Sequence, residues 1–491
     1  MRKFYRDVLD YVGVTVLLKV IGVASILYVG KALTPDDFGY FAMASVVIAV
    51  GAALAEFGAG GLMVRDYHLE GARVLVKAVP LVLVVWVIET VAIGTLGRAL
   101  AGGAESLRAV ADHPYLIALL ILPTVGNTLV GTYLVISLKA RVFATATMAK
   151  SVAHLLCVIT IASLEPSYMA LLYATLVGCL AFLAIPLIHF RSRLGAGMLA
   201  LRSLDHSHAI AEQARGGFVF FSRDALAVLQ GHWNRIILSV YVPVADLGIY
   251  TFFFNIASGL SQLYSAVERA CTPRLVVAYQ GNSERTGQLL NGLIPVGAIG
   301  ATVGCVGVVT AGELGLYHLA FRQDYLPHTG FLDAMLFLAV CGAMVQMFYF
   351  SYYVGTENTS IRTHALVNLA VSVALQLLLI PAYGLRGAII GELIASPLRL
   401  ISLWIINYRL LIVGSSLKDA GAFIAYVTAS AVFVMMILLG WAQWGVVVFG
   451  LVGLSVVYGL VAMPQLRRTY AQFLDRRPST SIQPATIDSL R

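Results

Sequence analysis

The stretch Phe38–Phe57, FGYFAMASVVIAVGAALAEF, holds one charged residue, Glu56, at its far end. Coiled as an α-helix it rises about 30 Å, the thickness of the hydrocarbon core of a bilayer. It shows no alternation of apolar and polar residues, so a half-buried strand does not fit. Apolar runs of about 18 to 25 residues recur from the first ten residues almost to the end of the chain. Strands of an outer-membrane barrel would show weak alternating segments of about ten residues, and these runs are long and nearly unbroken. With no water to satisfy a bare backbone, such spans must be helices.

Composition points the same way. Of 491 residues, 59% are hydrophobic and only 12% charged, and the mean hydropathy is +0.86. Soluble domains carry about 25% charged residues. The expectation is an all-α polytopic membrane protein with about 14 transmembrane helices. Arg2, Lys3 and Arg6 precede the first run, Val8 to Leu33, which has no small-residue cleavage site and reads as a first helix, not a removed signal.

The net charge of +8 is read as a topology signal and not as a nucleic-acid footprint. If the N-terminus is cytoplasmic, the inside segments hold most of the Lys and Arg. The outside loops hold only Lys31, Arg98, Arg108, Arg322 and Arg386. This predicts an even number of spans with both termini cytoplasmic. The longest inside loop, Arg191 to Gly216, divides the chain. Residues 1–190 form an N-terminal lobe (spans one to six), 191–216 a cytoplasmic linker, 217–410 a C-terminal lobe (spans seven to twelve), 411–464 spans thirteen and fourteen, and 465–491 a polar cytoplasmic tail suited to anionic lipid.

An internal repeat supports two lobes. Asp37-Phe38-Gly39-Tyr40-Phe41 opens span two and Asp246-Leu247-Gly248-Ile249-Tyr250 opens span eight, an offset of 209 residues, at which Arg65 also falls on Arg274. Copies six spans apart share orientation, as in transporters built of two parallel lobes.

Several chemistries are missing. There is no G-x-x-x-x-G-K-[ST] phosphate loop, HExxH or GxSxG, and no clustered His/Cys pattern for a metal. No residue stands out as a catalytic nucleophile, so the chain does not read as an enzyme. The five cysteines, Cys157, Cys179, Cys271, Cys305 and Cys341, lie in apolar surroundings and read as packing residues.

What remains is the polar content of the spans, where each ionisable group is costly and marks function by default. Lys19 lies deep in span one, with Tyr11, Thr15 and Gly22 at helical spacing; it lines a cavity or pairs with Glu56 or Glu89. Glu89 is the deepest acid of the first half and a candidate for carrying a coupling proton. Span seven, Phe218 to Tyr241, is the most polar: Arg223, Gln230 and Asn234 share a face, and Asp224 and Arg235 lie beside it, with His232 nearby. Span eight carries the stripe Asn255, Ser258, Gln262, Ser265 and Arg269, which faces a partner helix or, as favoured here, an aqueous path. Span eleven repeats it with His364, Asn368, Ser372 and Gln376, while Glu392 and Arg399 of span twelve read as structural contacts. A cavity walled by Lys and Arg between two lobes suits an amphiphile with an anionic head.

Three groups of residues carry a resemblance. Leu33-Thr34-Pro35-Asp36-Asp37-Phe38-Gly39, then Glu56-Phe57-Gly58-Ala59-Gly60 and Arg65, resembles the signature of the polysaccharide transporter family. Asn234-Arg235 through Leu247-Gly248-Ile249-Tyr250 is similar to its second signature, and Tyr383-Gly384-Leu385-Arg386-Gly387-Ala388 to its late turn. The family includes O-antigen and exopolysaccharide repeat-unit flippases of the multidrug/oligosaccharidyl-lipid/polysaccharide exporter superfamily.

The resemblance implies a fold like that of the multidrug and toxin extrusion (MATE) transporters, with two six-helix lobes plus two C-terminal helices. It implies alternating access that flips an undecaprenyl-diphosphate-linked oligosaccharide across the bacterial inner membrane. A proton or sodium gradient would drive it, with no cofactor. The partners would be the polyprenyl-linked glycan, membrane lipid and polysaccharide polymerase machinery. Lys19, Arg223, Gln230, Asn234, Arg235, Asn255, Gln262 and Arg269 would contact substrate. Where the family commonly has Asp in span seven this chain has Asn234, which shifts the coupling role to Asp224 or Glu89. A cation-coupled drug antiporter would want a compact acidic site, and a membrane glycosyltransferase or ligase large external loops with catalytic acids; neither is evident in this sequence.

Overall fold

The computed structural model describes residues 17–18, 21–71, 73–100, 105–137, 139–191, 206–259, 304–348 and 358–409. Among them there is no strand, and seven helices are long and apolar enough to cross a membrane. The chain is a multi-pass membrane protein. Spans thirteen and fourteen, the tail and most of span nine lie outside the described residues.

The first helices are α1 (Ile21–Ala32), α2 (Pro35–Glu56), α3 (Ala59–Glu70) and α4 (Arg73–Leu100). After a 3-10 turn at Glu105–Leu107 come α5 (Arg108–Asp112), α6 (Pro114–Ile136), α7 (Ala140–Leu164) and α8 (Tyr168–His189). Then follow α9 (His206–Tyr241), α10 (residues 244–259), α11 (residues 304–311) and α12 (Tyr317–Ala320). A 3-10 stretch, Gln323–His328, leads into α13 (Thr329–Phe348), and α14 is Asn358–Arg409.

The opening of α2 explains the first signature. Thr34 caps the helix by accepting from the Asp37 amide at 3.2 Å, Pro35 takes the first turn where no amide hydrogen is needed, and Asp36 and Asp37 complement the helix dipole. Asp37 does a second job, because its Oδ1 accepts from the Tyr168 amide at 3.3 Å and so caps α8, whose own Ser167 makes no capping bond.

Gly39 and Gly248 explain the repeat. A side chain on Gly39 would strike the Val244 carbonyl, and one on Gly248 would strike the Pro35 carbonyl. Val244 stands 209 residues after Pro35, and Gly248 stands 209 after Gly39, so the two contacts are the same contact seen from either helix. α2 and α10 therefore cross backbone to backbone about a pseudo-two-fold relation, with Phe38 set edge-on to Phe252 at 5.6 Å beside it.

α9 starts earlier than the apolar run suggests. Residues 206–216, read from sequence as part of a linker, are helical and continuous with it. Thirty-six residues make a rod of about 54 Å, longer than a bilayer core, packed against α2, α3 and α4 on one side and α14 on another. α14 is two arms divided at Gly384, whose φ of 55° and ψ of −132° suit only glycine, in agreement with spans eleven and twelve and the Tyr383-Gly384 turn between them. Two apolar clusters lie wholly within α2–α8, and a third joins α1, α2, α7 and α8 to α9, α10, α13 and α14.

Candidate functional site

α2 touches the second group of helices at both of its ends. At the Pro35 end are the Gly39–Val244 and Gly248–Pro35 contacts, and Ser106 donates to the Ser239 carbonyl at 3.2 Å. At the other end Phe57, the sole non-glycine residue with positive φ (44°) among those described, stacks on Phe221 of α9 at 4.6 Å. Nearby Lys77 of α4 pairs with Glu212 of α9 at 3.5 Å. Arg65 grips Asp66 through two hydrogen bonds of 2.6 and 2.8 Å, and its guanidinium holds the Asp66 carboxyl below its usual value. The α9–α10 pair is thus closed against α2 at both ends of that helix.

Within this frame the polar residues of α9 divide between two environments. Gln230 donates to the Ala365 carbonyl of α14 at 3.0 Å. Asn234 uses both amide hydrogens, one on Glu392 Oε1 at 2.9 Å and one on the Tyr250 hydroxyl at 3.1 Å. Ser372 donates to the same Glu392 oxygen at 3.0 Å and Ser396 to the other at 3.3 Å. Glu392 is therefore a node tying α9 to both arms of α14, and Asn234 links it to Tyr250 of α10. Its structural reading from sequence holds, but its partner Asn234 lies 158 residues away.

The stripe of span eleven does not face water here. His364 meets Ser402 at 2.7 Å, Asn368 bonds to His364, Ser372 reaches Glu392, and Gln376 donates to the Ala388 carbonyl at 3.0 Å. Every member is spent on its own helix or on the second arm of α14. Such polar seams hold membrane helices together where lipid offers no hydrophobic drive.

Arg235 is different. It is 6% exposed, one step from Asn234 but turned towards α10. Its NH1 lies 3.2 Å from His232 Nδ1, its NH2 donates to Asn255 Oδ1 at 3.4 Å, and its carbon sits 4.9 Å over the Phe254 ring. Its Nε has no partner, and among the described residues no acid pairs with it. An unpaired guanidinium in such a place is costly, and the neutral amide, imidazole and ring around it offset only part of that cost. His232 and Tyr250 also belong to this site, and the signal for each is helical spacing: His232 stands three residues before Arg235 on α9, and Tyr250 four before Phe254 on α10.

The acids proposed for coupling are also placed. Asp224 of α9 lies within electrostatic range of Glu56, whose Oε1 accepts from the Gly60 amide at 3.2 Å. Glu89 is buried on α4 near Gly51 of α2. Lys19, Gln262 and Arg269 lie outside the described residues, and of Arg223 only the backbone, on α9, is described.

The fold is shared with solved transporters. The lipid II flippase MurJ in an inward closed conformation matches with a TM-score of 0.60 over 95% of this chain and 100% of its own, at 12% identity. The MATE multidrug transporter DinF-BH matches at 0.52 over 85% and 97%, at 17% identity. The eukaryotic MATE transporter AtDTX14 matches at 0.50 over 82% and 95%, at 14% identity. No curated protein sequence matches. The family model described as polysaccharide biosynthesis protein matches residues 30–299, more than half of the chain, and carries both the Asp37-Phe38-Gly39 crossing and the Arg235 site. The chain belongs to the polysaccharide biosynthesis protein family.

Proposed function

We propose that this protein flips a polyprenyl-diphosphate-linked oligosaccharide across the inner membrane by alternating access, for the assembly of a surface polysaccharide. The observation that carries the reading is Arg235: a buried cation with no acid beside it among the described residues, in the seam between α9 and α10, wants an anion. A diphosphate head supplies one, and guanidinium is the side chain best shaped to grip it. Family membership and a fold shared with a flippase support the same substrate class. Both termini lie in the cytoplasm, two six-helix lobes move against each other, and an ion gradient, of protons or sodium, drives the cycle. Polysaccharide polymerase machinery takes the product on the outer face.

The two closed ends give the cycle its steps. Parting Phe57 from Phe221 and Lys77 from Glu212 opens one face; parting Gly39 from Val244 and Gly248 from Pro35 opens the other. The test is translocation of a fluorescent undecaprenyl-diphosphate oligosaccharide in proteoliposomes. A charge-assisted hydrogen bond is worth about 1.5–3 kcal/mol, so R235A should slow flipping roughly 10- to 100-fold while R235K retains part of the rate. Wild-type rates in R235A would remove the anion site from the mechanism, and transport of organic cations in place of the lipid would favour a drug antiporter.

A further inference from the structure

Glu89 is a buried acid that the substrate path does not use. It is 9% exposed, and neither of its carboxyl oxygens has a hydrogen-bond partner. Its neighbours in sequence, Val87, Ile88 and Val91, are more than half exposed and form the outer face of α4, which places the carboxyl inward. A methyl group on Gly51 of α2 would lie 3.6 Å from Glu89 Oε2 and would collide with Ile121 of α6. Ile121 thus fills the room that the missing Gly51 side chain leaves, and the Glu89 carboxyl lies in contact beside it where α2, α4 and α6 meet.

The polar groups beside it are committed elsewhere. Trp86 donates its indole hydrogen to the Ala118 carbonyl of α6 at 2.8 Å, and Thr90 gives its hydroxyl to the Trp86 carbonyl at 2.8 Å. The described titratable side chains of the helices packed on α4 are Asp36, Asp37, Tyr40 and Glu56 on α2, Arg65, Asp66 and Tyr67 on α3, Arg108 and Asp112 on α5, Tyr115 and Tyr133 on α6, and Glu212, Arg215, Asp224, His232, Arg235 and Tyr241 on α9. Among the described side chains none lies within electrostatic reach of Glu89. Glu392 makes the contrast clear: an acid less deeply buried, yet given three donors. A pocket with no donor and no cation does not accommodate a carboxylate, whose uncompensated burial is far costlier than that of the neutral acid.

We propose that Glu89 binds the coupling proton in the closed state. The O–H bond forms on a Glu89 carboxyl oxygen with a proton drawn from water on the outer face. It breaks to water on the cytoplasmic face, so the proton runs down its gradient as the lipid moves outward. α2 and α4 both pack against α9, so their parting from α9 loosens the contacts that close over the carboxyl and admits water to it. This rests on the flippase reading for its direction, but the proton site itself does not.

The experiment has two readouts on protein in proteoliposomes. Infrared difference spectra across a pH step should show the C=O stretch of a protonated carboxylic acid in wild type, absent in E89Q and displaced in E89D. In the lipid translocation assay an inward proton gradient should stimulate wild type and E89D and leave E89Q unstimulated. A carboxylic acid band that survives in E89Q and is undisplaced in E89D, or a gradient response that E89Q keeps, overturns the proposal. If wild type flips no lipid, the flippase reading falls and the infrared bands of wild type and E89D still decide the proton site.

Discussion

Replacing Gly248 by alanine tests the pseudo-two-fold crossing and its place in the cycle together. The added methyl falls on the Pro35 carbonyl, a backbone atom held by the Thr34 cap, so no side chain can turn aside to make room. Overpacking of a tight contact costs about 1–3 kcal/mol. Because the contact exists only while the Pro35 end is closed, that energy is taken from the closed form, shifting its ratio to the open form by roughly 5- to 150-fold. The assay is cross-linking by a short bifunctional thiol reagent between cysteines at Ser106 and Ser239, in a background without the native cysteines. These positions touch when that end is closed. G248A should lower the cross-linking yield, and G39A, whose methyl meets the Val244 carbonyl, should lower it by a similar amount. A yield unchanged by G248A, or opposite responses to G39A and G248A, would refute the reasoning, because reciprocal contacts must respond alike.

Two other substitutions address how the helices are held. D37A removes the acceptor that caps α8 as well as the partner of Thr34, and at about 0.5–2 kcal/mol for each cap it should lower the unfolding midpoint in detergent, with D37N losing less; an unchanged midpoint would deny the double cap. E392A strips the acceptor from Asn234, Ser372 and Ser396 at about 1–3 kcal/mol for each stranded donor, whereas E392Q keeps one acceptor oxygen; equal losses of thermal stability in the two variants would show that the node is not what Glu392 provides.

The spans were legible where hydropathy alone determines them. The two arms of α14 and the turn at Gly384 stand where the apolar runs and the glycine place them, since a helix in lipid is fixed by its own composition. The start of α9 was not legible. Residues 206–217, HSHAIAEQARGG, have no apolar run, and they are held by neighbours distant in sequence, Lys77 with Glu212 and the turn at Phe57 with Phe221. The same limit applies to the site. Helical spacing shows that Asn234, Arg235 and Asn255 are polar positions in apolar helices, but not what each one meets. Gln376 and Ser372 have the spacing of a water-lined face, yet they meet the other arm of α14. Periodicity defines a face of a helix; only packing decides whether that face meets a helix or a path.

The signature residues and the charged residues divide the work accordingly. Asp37, Gly39 and Gly248 set a cap and a crossing, and they would do so for any cargo. Arg235 and Glu89 do nothing for the packing that an apolar residue of the same size would not do better, since a buried ion without a counter-charge weakens a fold. Among the described residues one is a cation without an acid and the other an acid without a donor, and both sit in helices that pack on one another, α9 and α4. If the diphosphate neutralises the first and a proton the second, each removes a penalty from the same closed state. Opposite movement of lipid and proton requires that the two ligands take turns, the lipid relieving Arg235 on the outward passage and the proton relieving Glu89 on the return. No contact between the two sites is needed for that, only a closed form in which both charges are buried.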